Sequence, residues 1–350
     1  MAELKTNLPD ICFPADVDIL CFSSETTETK VEVKLLLENV CVFETVLIPD
    51  VEGDVVLSDI AVLLSDYLVE FRAYSLEIIA DDETKESIKL LPCSVNLNMP
   101  ASNFHIHRFL TLLDGDKTIP LTALETLCWY EDNEEDEAEN VSQMELQIKA
   151  SWWDDTEGKL LQTTDSIPIN TTSQGCYQAD VSPSTLTAPS GYEQARLLRY
   201  SVRCGRREQN YVVVPVTSIA VRFQNAFGVM ETFHFWGYRE NEQKLERSQA
   251  SFSGKLRTYL IEDSSEIKIY SGMLPDSAIP AIRDLARSKN ITFFPDETPV
   301  IISSSEIKTR SDNEAFNEAN ITFRQSSHLD IVRLHSHERT FDETFDDTFY

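Results

Sequence analysis

Val31-Glu32-Val33-Lys34-Leu35-Leu36-Leu37-Glu38-Asn39-Val40-Cys41-Val42-Phe43-Glu44-Thr45-Val46-Leu47-Ile48 sets the class of the chain. Val31, Val33, Leu35 and Leu37 recur at every second residue, the period of a strand with one buried face. After the break at Glu38-Asn39, Val42, Val46 and Ile48 continue, so the segment reads as a hairpin. Its far strand runs into Pro49-Asp50-Val51-Glu52-Gly53-Asp54, a turn-forming cluster, and then into Val55-Val56-Leu57. A helix is expected next, capped by Ser58. Ile60, Leu63, Leu64, Tyr67 and Leu68 would form one apolar stripe able to cover a sheet.

Working outward, strands are expected at 74–80, 87–98, 104–113, 142–153 and 159–169. The stretch 163–194 is rich in Thr, Ser, Pro and Gly with little periodicity, and reads as a linker or long surface loop. Beyond it Leu198, Tyr200, Val202 and Cys204 alternate, Gly205-Arg206-Arg207-Glu208 turns the chain, and Tyr211 to Val216 returns. Ile219, Val221 and Phe223 then lead through Gln224-Asn225-Ala226-Phe227-Gly228 into Thr232-Phe233-His234-Phe235-Trp236, a second hairpin crowded with aromatics. Gly228 permits a turn with positive φ, Asn225 bonds locally to the backbone, and Phe227, Phe233 and Phe235 supply packing. That makes the hairpin a fold determinant. A second helix is expected at 277–289, with Pro280 in its first turn and Ile279, Ile282, Leu285 and Ala286 inward. Strands near 291–294, 298–303 and 319–324 follow.

The class is therefore mainly β: two antiparallel β-sandwich-like domains, each with one covering helix, plus an acidic C-terminal tail. The expected boundaries are 1–165, a linker or loop at 166–194, 195–328, and a tail at 329–350.

Charge narrows the function. The 350 residues carry 59 Asp and Glu against 30 Lys and Arg, a net −29, which excludes nucleic-acid binding by bulk charge and disfavours anionic membranes. A 42% hydrophobic fraction with 18 Phe means that the chain folds. Residues 1–10 show neither the basic nor the apolar region of a secretory signal, and no run reaches the ~18 apolar residues of a membrane span. Seven cysteines without a C-x-x-C pair read as reduced, buried thiols, consistent with folding in a reducing cytoplasm.

No phosphate-cradling glycine motif and no nucleophile elbow occurs among the ten glycines, so a non-enzymatic protein without a cofactor is expected. His105-Ile106-His107 and His335-Ser336-His337 would each place two imidazoles on one strand face, but nothing supplies further metal ligands, and surface imidazoles are the plainer reading. With 59 acids, no pair can be singled out for glycoside hydrolysis. Trp152, Trp153 and Trp236 are candidates for stacking on sugars, against the alternative that they fill the core. Seven acids crowd residues 131–139, either a solvated loop or a patch for a basic partner. The C-terminus repeats Thr-Phe-Asp, placing Phe341, Phe345 and Phe349, beside Tyr350, at helical spacing for docking into another chain.

The segment Phe43-Glu44-Thr45-Val46-Leu47-Ile48-Pro49-Asp50, the 53–68 stretch, and Val221-Arg222-Phe223-Gln224-Asn225-Ala226-Phe227-Gly228-Val229-Met230-Glu231-Thr232-Phe233-His234-Phe235 together resemble β-rich virion proteins of tailed phages and prophages of gut Bacteroidetes bacteria. The helix Ile282-Arg283-Asp284-Leu285-Ala286-Arg287-Ser288-Lys289 is similar to one of theirs, and the likeness touches most of 30–325. The resemblance implies a structural component of the tail or baseplate region, made in the host cytoplasm and located in the virion. Its partners would be other virion proteins, in a homo-oligomeric ring or a hetero-assembly, without nucleic acid or membrane. The alternative is a carbohydrate-binding adhesin of a tail or cell surface. The His-Ser-His segment and the Thr-Phe-Asp repeat lie outside the resemblance.

Overall fold

The computed structural model describes residues 2–24, 30–132, 145–167, 169–173, 175–252, 255–310 and 316–325. Phe341, Phe345, Phe349, Tyr350, His335, His337 and most of the acidic 131–139 run lie outside the described residues. The architecture is mainly β and sandwich-like, as the alternation requires, with few helices.

The first unit holds β1 (Glu3–Leu4), β2 (Ile11–Cys12), β3 (Leu20–Ser23), β4 (Val31–Leu37), β5 (Val40–Leu47), β6 (Asp54–Leu57), β7 (Tyr74–Ala80) and β8 (Glu83–Leu90). A sheet of order β1-β3-β6 faces one of order β2-β8-β7-β4-β5. Val31, Val33, Leu35 and Leu37 of β4 are all buried in the core between them. The expected helix is short, α1 (Ile60–Ser65), and Ser58 does not cap it. Asp18 does so from 43 residues away, its carboxylate accepting the Ala61 N–H at 3.0 Å. Ile60, Leu64 and Leu68 face inward, whereas Leu63 and Tyr67 are exposed, so the stripe is narrower than its spacing suggested.

The expected strand at 104–113 is instead a helix, α2 (Ala101–His107), followed by irregular chain. Pro100 pre-sets the backbone just ahead of the first turn, and Ala101, Phe104 and His105 are buried at helical spacing. A carboxylate distant in sequence serves here too, with Asp16 accepting the Ala101 N–H at 3.1 Å.

The second unit holds β9 (Lys117–Pro120), β10 (Thr126–Tyr130), β11 (Leu146–Asp154), β12 (Lys159–Ile167), β13 (Asn170–Ser173), β14 (Cys176–Asp180), β15 (Arg196–Cys204) and β16 (Arg207–Val214). They form sheets of order β12-β11-β15-β16-β9 and β10-β14-β13 around a common core. The stretch 166–194 carries β13 and β14, and the strands before and after it belong to one sheet, β12 pairing with β11 and β11 with β15. Cys176, Tyr177 and Ala179 are buried, an inward face that Thr and Ser in the surrounding sequence concealed. Two strand pairs are parallel, β2 with β8 and β9 with β16; the others are antiparallel.

The third unit is one seven-stranded sheet of β17 (Ile219–Gln224), β18 (Met230–Phe235), β19 (Arg239–Phe252), β20 (Lys255–Tyr270), β21 (Ile291–Phe294), β22 (Thr298–Lys308) and β23 (Glu318–Gln325), ordered β18-β17-β21-β22-β23-β20-β19. Helix α3 (Ile279–Arg287) covers it with Ile279, Ile282 and Leu285. A fourth apolar cluster lies where the units meet, built from Phe13, Leu91, Phe104, Leu110, Cys128 and Phe227 among others.

Candidate functional site

The tip of the β17–β18 hairpin, residues 225–229, enters that junction. Asn225 organises it: Oδ1 accepts the N–H groups of Phe227 at 3.0 Å and Val229 at 3.1 Å, while Nδ2 donates to Leu110 O at 2.8 Å and Glu231 Oε2 at 3.0 Å. The Phe227 ring packs with its centroid 5.1 Å from Phe104 and 6.0 Å from Phe13. Gly228 has φ +77°, and a Cβ there would lie 3.1 Å from Val69 O, so both backbone conformation and close approach favour glycine. Ser94 N–H donates to Ala226 O at 2.9 Å, and Asp284 of α3 accepts the Ala226 N–H at 2.9 Å. Of the residues singled out in this hairpin, Asn225, Phe227 and Gly228 meet in the junction. Phe233 and Phe235 lie elsewhere, 4.9 Å apart in the core of the third sheet.

Asp284 is buried and its pKa is raised to about 7, because desolvation outweighs the Ala226 hydrogen bond. Beside the tip runs a chain of polar groups. Lys117 Nζ donates to Glu125 Oε2 at 2.7 Å, His234 Nε2 lies 2.9 Å from Glu125 Oε1, and His234 Nδ1 lies 2.8 Å from Ser218 Oγ. Burial alone would raise the Glu125 carboxyl, but Lys117 and the His234 hydrogen bond outweigh it and hold the pKa below its ordinary value. The Ser–His–Glu order has the connectivity of a relay that polarises a hydroxyl. The adjoining cavity, about 110 Å³, is lined by Lys117, Glu231, His234 and Trp236, and Ser218 is not among its lining residues. What the chain demonstrably does is tie β9 and the 121–125 segment to β18.

Arg207 makes a second buried tie. Its guanidinium donates to His105 O, with Nε at 2.7 Å, to Tyr130 O at 2.9 Å and to the Glu131 carboxylate. Sequence placed Arg207 in a turn; it begins β16 and is almost wholly buried. Nothing in the spacing of Lys117, Glu125, Arg207 or Asp284 marks them, because their partners lie up to 109 residues away.

The paired histidines diverge, since two residues on a helix point to different sides: His105 is buried, with Nδ1 2.9 Å from Ala101 O, and His107 is exposed. Trp152 is buried and donates to Thr163 Oγ1 at 3.0 Å, while Trp153 and Trp236 are half-buried. All seven cysteines are free thiols, and burial pushes Cys93 and Cys128 up to about 12.

The β19–β20 hairpin is the opposite of a buried site. Its strands pair from Arg239↔Ile269 out to Phe252↔Lys255, but the next strand inward, β23, pairs β20 only over Glu266–Tyr270. From the Gln243↔Ser265 pair outward no third described strand joins the hairpin, which is a ribbon of two strands among the described residues, ten residues long on the β19 side and so about 33 Å.

No family model matches the chain, and no curated protein does. Among solved structures, it is similar to a chain from the tail of an empty GTA particle with C6 symmetry, at 10% identity over 31% of this chain and 91% of that one, TM-score 0.22. It is also similar to a structure on host cell surface retention of a 1.5-MDa bacterial ice-binding adhesin, at 10% identity over 77% of this chain and 92% of that one, TM-score 0.19. A third is the I9–I11 tandem from titin, at 9% identity over 94% of this chain and 91% of that one, TM-score 0.15. Likenesses this weak carry no functional argument. No helix among the described residues is long and apolar enough to cross a membrane.

Proposed function

We propose that this chain is a non-enzymatic structural component of a phage virion, in the tail or baseplate region, acting through protein–protein contacts. The observation that supports it is the β19–β20 ribbon. Among the described residues no third strand pairs this arm, and a two-stranded hairpin of about 33 Å, about 3.3 Å per residue over ten residues, is marginal in water and gains stability when a neighbour covers it. The likeness of the 221–235 hairpin to virion proteins agrees with that reading. The expected partners are other virion proteins, in a ring or a hetero-assembly, and the expected location is the virion after synthesis in the host cytoplasm.

The test is to replace residues 243–265 by a short turn and to follow native mass, sedimentation and particle formation. The expected result is a folded monomer that no longer assembles; intact particles would reject the reading. Deleting 338–350 asks the same of the Phe341/Phe345/Phe349 repeat.

Trp236, half-buried at the 110 Å³ cavity, favours one second reading, the carbohydrate-binding adhesin. A glycan array without binding, together with tryptophan emission unchanged on titrating sugars, would remove it.

A further inference from the structure

Residues 35–71 contain eight acidic side chains and neither lysine nor arginine. Exposed apolar surface concentrates in the same stretch: of the twenty large hydrophobics exposed among the described residues, nine fall between Val40 and Val69. Val51 is 94% exposed, Ile48 72% and Val62 71%. Single exposed apolar side chains are ordinary on any protein, but such a concentration marks an interaction surface.

Val46 and Val56 face away from the core on the two different sheets, while Ile48, Val51, Val62, Leu63 and Tyr67 lie on the turn and helix segments that follow β5 and β6. Among the described residues β5 pairs only with β4, and β6 only with β3, so both are edge strands there, and the 48–53 turn joins them. α1 packs against β5 and leaves Val62, Leu63 and Tyr67 outward. Glu52, Asp59, Asp66 and Glu70 are exposed among these residues. The surface is thus apolar, acidic and bounded by two strand edges that no other described strand pairs, and such a patch marks an interaction site.

The ribbon carries the complementary chemistry. Residues 247–261 hold Arg247, Lys255 and Arg257 and no acid, in a chain of net charge −29. Arg247 and Lys255 are exposed, the first midway along the ribbon and the second at the last pair before its turn. We infer that the β5–β6–α1 edge is a docking surface for a second copy of this chain, and that the copy's β19–β20 ribbon end is what seats on it. The contact is heterologous, one copy's arm on the next copy's edge, and so builds a ring or a row. This rests on the assembly reading above and names its two faces.

Charge reversal tests it on the full chain. E52K/D66K on the edge and R247E/K255E on the ribbon are each expected to weaken self-association by tenfold or more, measured by sedimentation velocity at low salt. Each variant's thermal melt should match the parent's, because all four residues are exposed. A chain carrying all four reversals should recover association, and added salt should weaken the parent contact. The control is R199E/R203E, on exposed arginines of β15. A parent that stays monomeric, reversals without effect, or loss in the β15 control in place of the ribbon variant would overturn the inference. None of these results touches the assembly reading, which falls only if particles form without the ribbon.

Discussion

The β17–β18 and β19–β20 hairpins stand at opposite edges of one seven-stranded sheet, and they end in opposite ways. The first closes in a tip whose backbone groups are taken up by Asn225, Asp284 and Ser94 and whose Phe227 fills a cluster between units. The second runs on for ten residue positions past the last described strand that braces it. The difference lies in where side-chain chemistry finds partners. Phe227, Gly228 and Asn225 find them inside the chain, whereas Arg247 and Lys255 are presented outward. A hairpin is therefore buried in its own chain or presented outward according to what its tip meets.

Four substitutions sharpen that contrast. Phe227→Ala should be the most damaging, destabilising the chain by about 3–5 kcal/mol in chemical denaturation, because it empties a ring-sized space in the junction. An effect near zero would mean that the tip is not a keystone. Asn225→Ala removes the acceptor of two N–H groups and the donor to Leu110 O, and should lose about 2–3 kcal/mol by the same measurement.

Asp284→Asn should act with the opposite sign above neutrality. The folded pKa of about 7 lies above the ordinary carboxyl value, so the native state holds the proton more tightly. Stability contributed by the protonated acid is complete at low pH and is lost as pH rises from about 4 to about 7. The asparagine variant should lack that slope, matching the parent near pH 4 and exceeding it by roughly 1–3 kcal/mol at pH 8. Parallel pH profiles of melting temperature would refute it. Gln249→Ala on the exposed ribbon should change stability by less than about 0.5 kcal/mol, since surface substitutions seldom do more. A larger loss would show the ribbon braced by its own chain.

The legible part of the molecule was the part written in short-range periodicity. β4, the hairpins around Gly205 and Gly228, and α3 all stand where alternation or helical spacing put them. Reading failed where local rules met distant partners. Ser58 lost its capping role to Asp18, and 101–107 became a helix despite apolar residues spaced to suit a strand. The 163–194 stretch hid two strands because Thr and Ser mask a buried face that Cys176, Tyr177 and Ala179 provide. Of the candidate site, the hairpin residues were visible, since glycine and asparagine in a turn have a local cause. Glu125, Arg207 and Asp284 were not, because a buried charge is identified by its surroundings and those are assembled only by folding.

Sequence alone determined that the chain is mainly β, that its net charge is −29, and that Asn225 to Gly228 form a turn. These follow from alternation, summed charge and the backbone freedom of glycine, each a property of neighbours in the chain. Tertiary structure alone decided that one hairpin is buried and another exposed, that Asp284 sits away from water, and that Val62, Leu63 and Tyr67 of the α1 region stay outward while Ile60 and Leu64 are buried. Those depend on contacts between residues tens to more than a hundred positions apart, which no local pattern encodes.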